Sequence, residues 1–132
     1  MIVNDAIYTS IYHKLLEILP NLSAIEKKAK SVVDGGSQDL YLEIVRREDD
    51  QLVIALTQYG EGPNGKIVHD PDMTIAIYPN KGMAEALTYE DHYIYWEVYS
   101  QNRKRVDERA KQHQNQYLDL WLSALIQQGH SI

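Results

Sequence analysis

Apolar side chains in this chain change period twice, and that pattern restricts the fold more than any other feature. Ile7, Tyr8, Ile11, Tyr12, Leu15, Leu16 and Leu19 recur at helical spacing, with Asn4 and Asp5 placed to cap. Pro20 ends this helix by removing an amide donor and constraining Leu19. Ser23 and Glu26 have the form of a capping box, so a second helix is expected there. Ile25, Ala29 and Val32 would face inward, Lys27, Lys28 and Lys30 outward, and Gly35 and Gly36 would end it. The period then shortens to that of a strand. Leu40, Leu42 and Ile44 alternate with Tyr41, Glu43 and Val45, and Leu52, Ile54 and Leu56 alternate again after the charged turn at Arg47, Glu48, Asp49 and Asp50. A glycine- and proline-rich loop over 60–71, with a short extra strand at 66–69, leads into a strand through Met73, Ile75 and Ile77. Pro79, Asn80, Lys81 and Gly82 make a turn.

Residues 83–89 form a weaker strand with Ala84 and Ala86 on one face. Residues 93–99 form a strong one, with Ile94, Trp96 and Val98 on one side and Tyr93, Tyr95 and Tyr99 on the other. From Arg103 the helical period returns and runs to Gln128, where Gly129 stops it. The expected fold is α+β, with strands and helices kept apart in sequence. It is a single domain over 1–132: helices in 4–33, an antiparallel meander of about five strands in 38–99, and a long helix at 102–128 packed with the N-terminal helices on one sheet face.

The chain has 132 residues, enough to bury a core without a metal or disulfide staple, and it contains no cysteine. That removes thiolate chemistry and fits a reducing compartment. A formal net charge of -6 argues against a general nucleic-acid binder. No apolar run approaches the roughly 20 residues that span a bilayer. The first ten residues lack the basic-then-apolar order of a secretory signal, so the expected location is the cytoplasm, with no membrane contact. Phenylalanine is absent while tyrosine occurs ten times. Tyrosine fills a core while keeping a polar tip near water, and it is also a favoured contact residue.

The run Asn115, Gln116, Tyr117, Leu118, Asp119, Leu120, Trp121, Leu122 resembles the C-terminal signature of the YqiB-like family, bacterial proteins classed as a domain of unknown function. Asn115, Tyr117, Leu118, Trp121 and Leu122 match it position by position. Pro71, Met73, Thr74, Ile75 and Tyr78 resemble the family's strand motif, and Met83, Ala84, Glu85 and Ala86 follow in the expected place. Residues 12–20 resemble its first helix, which also ends in Leu-Pro. The family's run Gln-Arg-Asp-Glu-Lys before the last helix has altered order here, over residues 105–111. The resemblance implies a fold and a bacterial cytoplasmic home. It implies no activity and no cofactor.

Four groups of residues are candidates for a site. His69, Asp70 and Asp72, with Asp91 and His92, have the donor types of a metal centre, yet their spacing matches no metal motif. Two polar loops, with Asp70 before Pro71 opening a turn, explain them as well, and no metal or cofactor is assigned. Arg103, Lys104, Arg105 and Arg109, with Lys111, form a basic patch, but Asp107 and Glu108 lie inside it and invite ion pairing along the helix. Tyr93, Tyr95 and Tyr99 form an aromatic row on the outer sheet face, a surface for a partner or for cross-strand packing. Asn115, with Gln114, marks a polar site on the last helix, whose amide is expected to satisfy a backbone group of a loop or a strand end.

No nucleophile elbow and no phosphate loop occur. The expectation is a non-enzymatic interaction module using the outer sheet face, its partner a second copy or another protein. The alternative is a small-ligand or metal-binding enzyme with its site near the 60–72 loop and the C-terminal helix.

Overall fold

The computed structural model describes residues 5–35 and 38–132. The expected roles of Asn4 and Gly36 therefore lie outside the described residues. The fold is α+β. Helix α1 (Ala6–Ile18) comes first and helix α2 (Glu108–Gln128) last. Between them run β1 (Lys28–Ser31), β2 (Leu40–Arg47), β3 (Leu52–Glu61), β4 (Ile67–Tyr78), β5 (Met83–Glu90) and β6 (Tyr95–Glu97). These six form one antiparallel meander in chain order. A small hairpin, β7 (Tyr99–Ser100) and β8 (Arg105–Val106), follows.

The alternation seen in the sequence decides which sheet face is covered. Leu40, Leu42, Ile54, Leu56, Met73, Ile75 and Ile77 point inward and are buried against Ile11, Leu15 and Ile18 of α1 and Leu118, Leu122 and Leu125 of α2. Each such side chain contributes roughly 1.5–3 kcal/mol on burial. Both helices contact β5, where Ala84 and Ala86 leave room for close approach. The helices also hold each other: Lys14 Nζ lies 2.9 Å from Asp119 Oδ1, and the Ser10 hydroxyl donates to the same oxygen at 2.7 Å.

Four expectations about the elements need correction. The second N-terminal helix is absent. After a single 3-10 turn at Leu22–Ala24, the chain becomes β1, a sixth strand in register with β2, pairing Ala29 with Leu42 and Ser31 with Leu40. Val32, expected inward, is 61% exposed. A short isolated helix gains little, whereas as β1 the segment satisfies backbone groups on the edge of β2 away from β3. Lys28 and Lys30 then sit on an edge strand, where lysine discourages further pairing.

The loop over 60–71 is also mostly strand. β3 runs to Glu61 and β4 starts at Ile67, with a turn at Pro63–Gly65 closed by the Gly62 N–H on the Lys66 carbonyl at 2.7 Å. Asp70 and Pro71 lie inside β4, joined by a cis peptide, and open no turn.

The strand expected over 93–99 is broken. Only Tyr95–Glu97 pairs with β5, while Tyr99 belongs to β7. Val98 is buried and donates its N–H to the Leu87 carbonyl, which turns the chain out of the sheet.

Helix α2 begins at Glu108, because residues 105–106 pair with β7 and the Asp107 carboxylate accepts the Ala110 N–H at 2.9 Å as N-cap. Arg103, Lys104 and Arg105 are therefore not on the helix, and the ion pairing expected along it between these residues and Glu108 does not arise. At the other end Gly129, with φ of 89°, stops α2 as expected.

Candidate functional site

Thr57, Asp72, Glu90 and Tyr95 stand opposite one another across β3, β4, β5 and β6, on the sheet face away from the helices. His69 joins this row by a register shift between Thr57 and Tyr59. Three residues apart on a regular strand, His69 and Asp72 would face opposite sides. The shift puts both on the outer face.

The Thr57 hydroxyl donates to Asp72 Oδ1 at 3.0 Å, leaving Oδ2 turned to His69 Nδ1 at 3.6 Å. His69 Nε2 lies 3.7 Å from Glu90 Oε1. Both separations are too long for hydrogen bonds. His69 Nδ1 is buried and has no hydrogen-bond partner among the described residues. One ligand atom from each of His69, Asp72 and Glu90 can lie within 4.8 Å of the others. Tyr59 packs on the imidazole with ring centres 5.3 Å apart, and Tyr41 packs edge-on against Tyr59.

This cluster differs from the acidic and histidine group expected from the sequence. His69 and Asp72 remain. Asp70 is exposed and Asp91 is used elsewhere, accepting the Tyr93 and Ile94 N–H groups and the Tyr89 hydroxyl. Burial alone would raise the Asp91 carboxyl, but those bonds hold it below its ordinary value. His92 packs edge-on against Tyr93. Glu90 is the residue sequence reasoning missed. A regular hairpin about the turn at 79–82 would set Tyr89 opposite Asp72, but a bulge between Thr74 and Ile75 sets Glu90 there.

The tyrosine row divides. Tyr93 is 85% exposed in a turn, Tyr95 faces outward from β6, and Tyr99 turns to the other end of β5. Burial raises the Tyr95 phenol, with Glu97 adding to the effect. Trp96 does share the inner side with Tyr89, yet it is 42% exposed. It lines a groove of about 500 Å³ between β6 and the start of α2, with Arg109 and His113 on the opposite wall.

The basic patch disperses as well. Arg103 reaches Tyr78, Lys104 and Arg105 are exposed on the β7–β8 hairpin, and Arg109 lines the groove.

Asn115 does what a buried amide is expected to do. Its Oδ1 accepts the Ala86 N–H and its Nδ2 donates to the Lys111 carbonyl. Gln114 is buried beside it in sequence. Neither joins His69 or Asp70 in a site.

The residues of the C-terminal signature are thus fold determinants: Asn115 closes a strand edge, Leu118 and Leu122 fill the core, and Trp121 donates its indole N–H to Gln58. No helix among the described residues is long and apolar enough to cross a membrane. No curated protein and no solved structure matches the chain. A family model does match, over residues 14–131, and by it the chain belongs to the DUF1249 family of proteins of unknown function.

Proposed function

We propose that this is a binding protein whose outer sheet face holds a divalent cation between His69, Asp72 and Glu90. The observation that carries the reading is the buried His69 Nδ1 with no partner among the described residues, 3.6 Å from Asp72 Oδ2, in a cluster where one donor atom from each of His69, Asp72 and Glu90 lies within 4.8 Å of the others. A buried imidazole nitrogen normally finds a partner. One imidazole with two carboxylates suits zinc, manganese or ferrous iron. Thr57 would act as outer support by fixing the Asp72 carboxylate. Three protein donors leave coordination positions open to a ligand on a face flanked by Tyr59 and Tyr95.

Metal content of the purified chain and its unfolding temperature with Zn²⁺, Mn²⁺ and Mg²⁺ test this. One equivalent of a transition cation and a rise in unfolding temperature, both lost in His69→Ala and Glu90→Gln, are expected. No bound metal and no rise with any cation would overturn it.

A second reading rests on the run Tyr93, Ile94, Tyr95 and Trp96, each exposed, at a sheet edge with no strand neighbour among the described residues. That edge would pair antiparallel with the same strand of a second copy. A dimer by sedimentation that a Tyr93→Ala/Tyr95→Ala double variant reduces to monomer supports it. A monomeric wild type at the highest soluble concentration sinks it.

A further inference from the structure

From the distribution of unpaired charge we infer a second site, independent of the cation site: a pocket for a phosphate-bearing small molecule at the open end of β5. Before Thr88, the edge of β5 away from β4 has no strand neighbour among the described residues, because β6 pairs only with residues 88–90. A cavity of about 310 Å³ opens there, walled by Tyr8 of α1, Tyr78, Met83 and Glu85 of the sheet, Arg103 of the hairpin and Lys111 of α2, with Lys81 at its rim. Its volume lies at the lower end of the range for small-molecule sites, about 300–1,000 Å³.

The polar groups in it form a chain. Arg103 donates to the Tyr78 hydroxyl at 2.9 Å, Tyr78 donates to Glu85 Oε2 at 2.8 Å, and Tyr99 donates to the other Glu85 oxygen. Glu85 is therefore fully engaged by two phenols. Burial, reinforced by Glu85, raises both phenols above their ordinary value, so they remain donors at neutral pH.

The cations are not engaged in this way. Lys81, Arg103 and Lys111 have no carboxylate within 4.0 Å among the described residues. They lie instead over aromatic faces: Lys81 Nζ is 5.6 Å from the Tyr78 ring centre, the Arg103 guanidinium carbon 5.1 Å from Tyr99, and Lys111 Nζ 5.5 Å from Tyr99 and 5.8 Å from Tyr8. Such contacts hold the cations over the rings and leave the ammonium N–H groups, and the Arg103 N–H groups not used on Tyr78, available to an anion. At the α1 wall burial raises the Tyr8 phenol, with Glu85, Glu108 and Asp5 adding to it, so the cationic side of the pocket is the one formed by Lys81, Arg103 and Lys111.

A second observation points to the same place. Gln101, Asn102 and Arg103 take φ of 53°, 57° and 68° in succession. Left-handed backbone at non-glycine residues is uncommon, and it clusters at ligand sites where the surroundings enforce it. Here it forms the tip of the β7–β8 hairpin and delivers the Arg103 guanidinium to Tyr78 and Tyr99. A guanidinium flanked by two ammonium groups suits a doubly charged phosphate, with the tyrosine rings covering a small organic portion.

Calorimetric titration of the full chain with inorganic phosphate, with glycerol phosphate and with neutral glycerol, at constant ionic strength, tests the proposal. The variants are Arg103→Gln and, because Arg103 also shapes the hairpin, a separate Lys81→Gln/Lys111→Gln. Glycerol phosphate should bind, inorganic phosphate more weakly and glycerol not at all, and each variant should weaken glycerol phosphate at least ~10-fold, with affinity falling as salt rises. The proposal is overturned by no detectable binding of either phosphate, or by undiminished binding in the lysine double variant. His69→Ala leaves this binding intact, which separates the pocket from the cation site.

Discussion

Asn115 on α2 accepts the backbone N–H of Ala86 on β5 at 2.8 Å, so a helix side chain satisfies a sheet edge at a point where no strand does. Its amide N–H₂ donates to the Lys111 carbonyl one turn back at 2.7 Å. Replacing Asn115 by Ala strands the buried Ala86 donor. The expected loss is about 1–3 kcal/mol, read as a lower urea midpoint. Asn115→Asp keeps the acceptor but buries a charge, so it should also destabilise, and less at acidic pH where the carboxyl protonates. An unchanged midpoint for Asn115→Ala would mean the contact contributes nothing.

Trp121 and Gln58 are both buried, and the indole N–H meets Gln58 Oε1 at 3.0 Å while Gln58 Nε2 donates to the Gln38 carbonyl. Trp121→Phe keeps much of the apolar bulk but orphans that oxygen and leaves a void. We expect it to cost about 2–4 kcal/mol, from the unmet acceptor and the lost volume together. A double-mutant cycle with Gln58→Leu isolates the hydrogen bond, and a coupling energy near zero would refute this account.

His130 is 4% exposed, with Nδ1 2.9 Å from the Ser31 hydroxyl. Burial pushes its imidazole below the ordinary value, against smaller upward influences from the Gln38 backbone and Asp39. The unfolded chain therefore binds this proton more readily than the folded chain, and stability rises with pH across that window. The contribution is whole above the unfolded value of about 6.5 and is lost as pH falls through the folded one. Urea midpoints measured at about pH 7.5 and about pH 5 should drop more for the wild type than for His130→Asn. Equal drops would show that other groups set the dependence.

Gly82 closes the turn between β4 and β5 with φ of 63°. A Cβ there meets only Tyr12 Cε2 at 4.0 Å, so space is not the obstacle. Gly82→Ala should still cost about 1 kcal/mol, because L side chains resist this backbone region. Gly82→Asn, better tolerated at positive φ, should recover part of the loss in thermal unfolding.

The periods of the apolar residues located α1, the body of α2 and the inner sheet face, because burial of a face depends only on local alternation, while the strand order was an expectation that only the assembled sheet decides. The same local reading placed Asp70 in a turn and residues 23–33 in a helix. Whether the edge of β2 away from β3 is paired is a property of the assembled sheet, and residues 28–31 pair there as a strand. The sites were less legible still. His69, Asp72 and Glu90 converge through two register shifts, neither marked by a residue type that demands one. Arg103 reaches Tyr78 and Tyr99 because the chain leaves the sheet at Val98 and returns through a left-handed turn. Which residues of one regular strand share a face was written in the sequence, because each strand alternates by itself. Which polar residues meet was decided only in three dimensions, because a bulge of one residue reverses every side chain beyond it.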